Sequence, residues 1–339
     1  MRDALITLED RTIKTQEKKK ENQMQENTLK KEITWKNITW KTILPPDMDT
    51  AKEQRIQAQK IASCAIEGML YEVTATPKPG LVDRDNSGAH HDMDYFTFMS
   101  SAAALHNTFD EMTELGMEYS DRPVGELLPQ LREAGKRAEE QMFLFTNGVN
   151  THKGMIFSLG LLCGCAGYLL GQRPGQDLSG EEICLLAGEM CQGICDREFA
   201  GLDQKKQLTK GEQMYRNYGY KGVRGVAESG YEIVRTVSLP VYTKLRSMDI
   251  PQNDALVHTL LYLIKNTEDT NIVSRHDRET ALYAKEYAGK VLKEGGMLSE
   301  KGRHMTYQMD DDFIDRYISP GGCADLLAVT HFLYKINQM

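Results

Sequence analysis

Apolar positions in this chain recur every three or four residues and almost nowhere alternate residue by residue. That period belongs to helices, which bring positions i, i+3, i+4 and i+7 to one face. Ile61, Ala65 and Met69 form such a stripe in a helix that starts at Thr50, where Thr50-x-x-Glu53 has the form of a capping box. The same spacing continues to Glu72 and points its carboxylate inward. A buried carboxylate must be paired, bind a metal or keep its proton, so Glu72 is a candidate for chemistry, or else for a salt bridge to an arginine.

Tyr95, Phe98, Ala102, Leu105, Phe109 and Met112 predict one helix from near Asp92 or Asp94, with His106 packed beside the stripe. Leu127, Leu131, Ala138, Met142 and Phe145 share one side of a helix over about 124–145, stopped by an Asn147-Gly148 turn. Residues 155–171 carry no charge and border on the length of a membrane span. Their glycines, Gly160, Gly164, Gly167 and Gly171, suit close packing in a helical core instead. Asn150 or Thr151 caps this helix, with Lys153 in its first turn, and free N–H groups there favour an anion. Ser179-x-x-Glu182 caps a helix with Ile183, Leu186, Met190 and Ile194 inward. Further helices are expected over 254–264, 280–292 and 297–318, the last interrupted by Asp310-Asp311-Asp312 as a solvated acidic face. A final apolar helix follows Ser319-Pro-Gly-Gly322. No hairpin, βαβ or repeat pattern competes, so the fold class is all-α: about ten helices around one core, with polar loops meeting at one end.

Two regions escape this pattern. Residues 1–44 are rich in Lys, Glu, Gln and Asn, with apolar residues too scattered for a core, and read as a mobile or loosely helical extension before a catalytic domain at 45–339. Trp35 and Trp40 are candidates for docking on that domain. The stretch 72–92 collects Asp83, Asp85, Asp92, Lys78, Ser87, His90 and His91 between rigid prolines, with neither helical nor strand period, and looks like a site.

Charge sharpens the picture. The chain of 339 residues holds 41 Lys/Arg against 49 Asp/Glu, a net charge of −8. Residues 1–43 carry +3, which leaves −11 on the remainder and argues against a nucleic-acid surface. Seven cysteines, odd in number and set in apolar patterns, read as buried thiols of a reducing compartment. With no signal-peptide pattern in residues 1–44, a cytoplasmic location without membrane contact is expected. Gly219 to Gly230 spaces glycines around Lys221, Arg224 and Glu228, but follows no predicted strand and so is no dinucleotide fingerprint. Together the loops offer carboxylates (Glu72, Asp83, Asp85, Asp269) and cations (Lys78, Lys153, Arg224, Arg275). Hard oxygen ligands with a few placed cations suit a magnesium–polyphosphate ligand, and thus a helical nucleotide-using enzyme.

Four ordered motifs carry a resemblance: Pro77-Lys-Pro-Gly-Leu-Val-Asp83 with Ser87-Gly-Ala-His90; Gly148-Val-Asn-Thr-His-Lys-Gly154; Asp269-Thr-Asn271; and Ser319-Pro-Gly-Gly322 with Ala324-Asp-Leu-Leu-Ala328. Over about 61–333 the chain resembles the triphosphoribosyl-dephospho-CoA synthases of the CitG type, whose malonate decarboxylase relatives share much of the pattern. The resemblance implies attack of the 2′-hydroxyl of 3′-dephospho-CoA on ribose C1′ of ATP, with adenine leaving. The product is the prosthetic-group precursor of the citrate lyase acyl carrier protein, handed to a holo-synthase. It further implies ATP with Mg2+, and is compatible with a homodimer. On this basis Glu72 is the leading base and Asp269 the second. Lys78, the Gly80 backbone, Ser87, Asn150 and Lys153 hold triphosphate; His90 and His152 orient phosphate or ribose; and Asp83, Asp85 and Asp269 are magnesium ligands. Arg224 and Arg275 join the phosphate set, although Arg275-His-Asp and Arg224-Gly-Val-Ala-Glu228 depart from the family pattern. A helical magnesium-dependent nucleotide glycohydrolase and a non-catalytic scaffold are the competing readings.

Overall fold

Helical period without strand alternation yields helices throughout, and the computed structural model shows no strand among the described residues, 50–339 apart from Lys206. The expectations for residues 1–44, including Trp35 and Trp40, lie outside the described residues.

The first helix, α1, spans Thr50–Thr74 with Ile61, Ala65 and Met69 fully buried. The stripe predicted from Tyr95 is divided into α2 (Tyr95–Ala104) and α3 (His106–Glu118), meeting at Leu105. Asp94 starts α2 with a complete capping box, its side chain accepting from the Thr97 amide at 2.8 Å. The apolar period runs through the junction, so pattern alone does not reveal it.

Next comes α4 (Leu127–Phe145), ended by Asn147 and Gly148, both at positive φ. Leu127, Leu131, Ala138 and Met142 are buried as expected, but Phe145 is 54% exposed while the next residue, Thr146, is buried. The glycine-rich α5 (Lys153–Gln172) is the core helix, packed against α1, α3 and α4. Among the described residues it alone is long and apolar enough to cross a membrane, and it is mostly buried inside the protein. Its glycines admit close neighbours: a side chain at Gly167 runs into the Thr113 carbonyl of α3, and one at Gly164 into Leu131 of α4.

Then follow α6 (Gly180–Met190), α7 (Ile194–Phe199), α8 (Lys210–Tyr218) and α9 (Gly222–Glu228). Ser179 stands at the start of α6 but makes no capping bond, and Glu182 turns instead to Arg173 at 3.2 Å. A π-helical turn at Val234–Ser238 leads into α10 (Leu239–Ser247), followed by α11 (Gln252–Asn266), α12 (Thr270–Arg275) and α13 (Arg278–Lys293). The expected interruption at Asp310–Asp312 is absent: α14 runs unbroken over Glu300–Asp315, because Thr306, Met309, Asp310 and Phe313 together make its buried face. The last helix, α15 (Gly321–Ile336), lies antiparallel against α1. The sequence estimate of about ten helices is low because short helices divide its polar linkers and long stripes.

Candidate active site

The loop 75–94 leaves α1 and is anchored at four points. Asn253 of α11 accepts from the Thr76 amide at 3.0 Å and donates to the Thr76 carbonyl at 2.7 Å. Asp83 accepts from Thr76 Oγ1 (2.7 Å) and the Lys78 amide (3.0 Å) with one oxygen, and from the Asp85 and Asn86 amides with the other. Asp310 accepts from the Gly80 amide at 2.9 Å and from Asn86 Nδ2 at 3.1 Å. His90 Nε2 meets Ser319 Oγ at 2.9 Å. Gly80, at φ +70°, lies so close to the Ile318 carbonyl that no side chain fits there.

This bracing presses Lys78 inward onto Glu72. The two form an ion pair, each 1% exposed, so the expected partner of Glu72 is a lysine six residues on rather than an arginine. Glu72 Oε2 is buried with no hydrogen-bond partner. Burial pushes the Glu72 carboxyl up, the Asp83 charge adds to this, and Lys78 opposes without overcoming them.

His152 lies at the start of α5, fully buried. Its Nδ1 meets Ser101 Oγ at 2.7 Å and its ring stands edge-on to Phe98, while Nε2 has no partner. Burial, with the Lys78 charge second, holds the imidazole down to about 3. Asp325, one turn into α15, faces the same place: a side chain at Gly154, in the first turn of α5, would collide with its carboxylate. Asp325 keeps some exposed surface, yet its carboxyl lies deep enough that burial, with the charges of Glu72 and Asp269, raises it well above the carboxylate range. The site is therefore a recess holding Glu72, Lys78, His152 and Asp325, built by α1, the braced loop, α5 and α15.

The other candidates have their own partners. Asp269 is buried as the N-cap of α12; one oxygen takes the Asn271 and Ile272 amides and the other the Cys323 amide at 2.9 Å. Asp85 is exposed and accepts from Thr76 Oγ1 at 3.1 Å. Asp83 and Asp85 thus meet at the Thr76 hydroxyl, while Asp269 is bonded to the amides of α12 and Cys323. Among the described residues no group of three His, Cys, Asp or Glu side chains is arranged to hold a metal. The Gly80 amide, expected at triphosphate, is committed to Asp310. Asn150 Oδ1 accepts from the Lys153 amide at 3.2 Å, although His152 occupies the N-cap. Lys153 reaches out to Glu139 at 2.7 Å on the surface. Arg275 is exposed, and its charge helps burial to hold His90 down to about 4. Ser87 is half-buried beside His90, whose amide donates to its carbonyl at 3.2 Å. Arg224 pairs with Glu198 and covers the Phe199 ring.

Asp325 is the lone charge inside an apolar run, and Asp310, expected on a solvated acidic face, is buried as a member of the Met309–Phe313 stripe. Asn253 gave no signal, being an ordinary polar residue in a helix's first turn. A cleft of about 370 Å³, lined by His276, Glu279, Thr280, Tyr283, Arg316 and Ile318, adjoins the segment that carries Ser319.

Comparison with known proteins adds the following. The family described as ATP:dephospho-CoA triphosphoribosyl transferase matches residues 58–339. A 2-(5''-triphosphoribosyl)-3'-dephosphocoenzyme-A synthase of Escherichia fergusonii is 38% identical over 291 residues, 86% of this chain and 95% of its own. One from Klebsiella pneumoniae is 38% identical over 278 residues, 82% of this chain and 91% of its own. A solved structure from Archaeoglobus fulgidus, assigned as a triphosphoribosyl-dephospho-CoA synthase, is 18% identical with a TM-score of 0.42, covering 70% of this chain and 98% of its own.

Proposed function

The chain belongs to the ATP:dephospho-CoA triphosphoribosyl transferase family, and from that premise we propose that it joins the triphosphoribosyl group of ATP to the 2′-hydroxyl of 3′-dephospho-CoA and releases adenine. The observation that carries the proposal to particular residues is the Glu72–Lys78 pair, buried yet with Glu72 Oε2 left without a partner. A buried polar atom without a partner is costly, and a substrate hydroxyl removes that cost by donating to it.

Substitution at ribose C1′ passes through a cation-like state. A carboxylate beside it stabilises the charge, and one with a raised pKa also takes the hydroxyl proton efficiently. Burial raises the Glu72 carboxyl, and Lys78 works against that rise toward the ionised form that a base requires. His152, held neutral, can use its free Nε2 toward a ribose hydroxyl without adding charge. Lys153 and Arg275, both at the surface, are the cations free to turn to triphosphate, since an exposed pair such as Lys153–Glu139 is worth under about 1 kcal/mol and exchanges readily. Ser87 and His90 remain candidates for the same ligand, while the cleft beside Ile318 holds Arg316, paired with Asp312, together with Glu279. Magnesium enters as part of the ATP substrate, and no step here is routed through a resident ion. The product would serve as the prosthetic-group precursor of citrate lyase through a holo-synthase. The same product serves malonate decarboxylase, so the chemistry of this site is common to both. Seven buried free thiols support a reducing, cytoplasmic setting.

The test is adenine release from ATP and magnesium, followed by chromatography with and without 3′-dephospho-CoA. Wild type should release adenine only with the acceptor, beside a product heavier by a triphosphoribosyl group, and Glu72→Gln should lose about 10²–10⁴-fold in rate. Adenine without acceptor would make the protein a glycohydrolase; none under any condition would remove the catalytic reading.

A further inference from the structure

Helices α1 and α15 run antiparallel in a register that can be read contact by contact. Cys64 Sγ lies 4.0 Å from Met339 Sδ, and Glu67 meets His331 at 3.1 Å and Lys335 at 3.4 Å. A side chain at Gly68 would stand 2.7 Å from the Ala328 carbonyl, so here the two backbones nearly touch. One turn further along α1 is Glu72, and one turn back along α15 is Asp325. The crossing therefore sets both carboxylates on the same side, with Gly154 of α5 closing the recess against Asp325.

The two are unequally provided. Lys78 is committed to Glu72. Among the described residues, no hydrogen bond or ion pair reaches the Asp325 carboxyl, whose charged neighbours, Glu72 and Asp269, are acidic. Of two neighbouring carboxylates, the one with a cation bound is favoured as the ionised member and the one without as the proton carrier. The N-terminus of α5, positive by its helix dipole, lies beside Asp325 and favours the ionised form, so that proton can be given up.

We propose that Asp325 is a catalytic residue, the proton donor to the departing adenine, working opposite Glu72. This rests on the triphosphoribosyl transfer proposed above. The 2′-oxygen of 3′-dephospho-CoA forms its bond to C1′ while its proton passes to Glu72 Oε2. The C1′–N9 bond breaks, its electron pair goes to the adenine ring, and a ring nitrogen takes the Asp325 proton. Glu72 then returns its proton to Asp325, directly or through water, which restores the resting pair with no net gain or loss. A neutral Asp325 also explains how a polyanionic substrate approaches a recess with two carboxylates.

The test compares full-length wild type, Asp325→Asn and Glu72→Gln on ATP and on N7-methyl-ATP, each with 3′-dephospho-CoA and magnesium. The methylated base is already cationic and leaves without needing a proton. Asp325→Asn should lose about 10²–10⁴-fold on ATP but less than about tenfold on the methylated nucleotide. Glu72→Gln should lose on both. Recovery on the methylated substrate also shows that the variant is folded. Equal losses of Asp325→Asn on both nucleotides, or full activity on ATP, would overturn the assignment. Wild type without adenine release from either nucleotide overturns the transfer reading, and this assignment falls with it. If wild type uses ATP alone, the pH profile of kcat decides. The alkaline limb set by a donor, among Glu72, Lys78, His152 and Asp269, should vanish in Asp325→Asn, and its persistence counts against the proposal.

Discussion

Single side chains in and under the recess act on stability with opposite signs. His152 stays neutral down to about pH 3, against 6.5 for an ordinary imidazole. Between those values the unfolded chain binds a proton that the folded chain refuses, so stability present above pH 6.5 is lost as pH falls. His90, held down to about 4, acts in the same direction. Asp310 is held up to about 6 from 3.8, chiefly by burial, so its contribution is complete below 3.8 and lost as pH rises through 6. From about pH 4 to 6 Asp310 offsets one histidine, each slope being roughly 1.4 kcal/mol per pH unit. Asp310→Asn keeps an acceptor for the Gly80 amide but has no proton to retain. Urea midpoints should therefore fall more steeply in this variant than in wild type on acidification from pH 6 to 4; parallel curves would show that Asp310 does not hold its proton in the folded state. Glu72 was legible in the sequence because it continues an apolar stripe. Asp83 was legible only as a polar loop residue, and nothing in its spacing shows that four donors consume its oxygens. Metal ligation and loop bracing demand the same residue type, and only geometry separates them.

At the scale of elements, glycine placement decides how closely helices approach. Gly116 of α3 abuts the Gly164 carbonyl and the Tyr168 amide of α5, and Gly167 abuts the Thr113 carbonyl. Gly167→Ala forces the pair apart and should cost at least about 1–3 kcal/mol by urea unfolding, the usual range for an overpacked core. Gly125→Ala, with open space around it, is the control and should fall within about 0.5 kcal/mol of wild type. A Gly167→Ala variant as stable as wild type would mean that α3 and α5 separate without penalty. The glycine intervals of α5 were readable because backbone approach needs small residues at helical spacing. The division between α2 and α3 was not, since Leu105 belongs to the apolar stripe of both and breaks no pattern. Ser179 failed as a cap for a related reason: a Ser-x-x-Glu string permits the bonds, while the nearby Arg173 offers Glu182 a different partner.

Across residues 50–339 the seven cysteines are free and buried, and burial pushes Cys64 to about 11 and Cys184, Cys191 and Cys195 to about 12. A thiol-specific reagent at pH 8 should therefore consume almost no equivalents on the native protein and seven once urea has unfolded it. Fast labelling of one or two thiols in native buffer would reveal local opening. The all-α class was legible from period alone, whereas the assembly of the recess was not, because its parts are distant in sequence and meet only through the antiparallel register of α1 and α15. That distance bears on the protein's synthesis. A chain made from its N-terminus carries Glu72 and Lys78 for most of its elongation without the helix that bears Asp325. Under the assignment proposed above, nascent or C-terminally clipped molecules would carry Glu72 without its partner acid until the helix that bears Asp325 has docked.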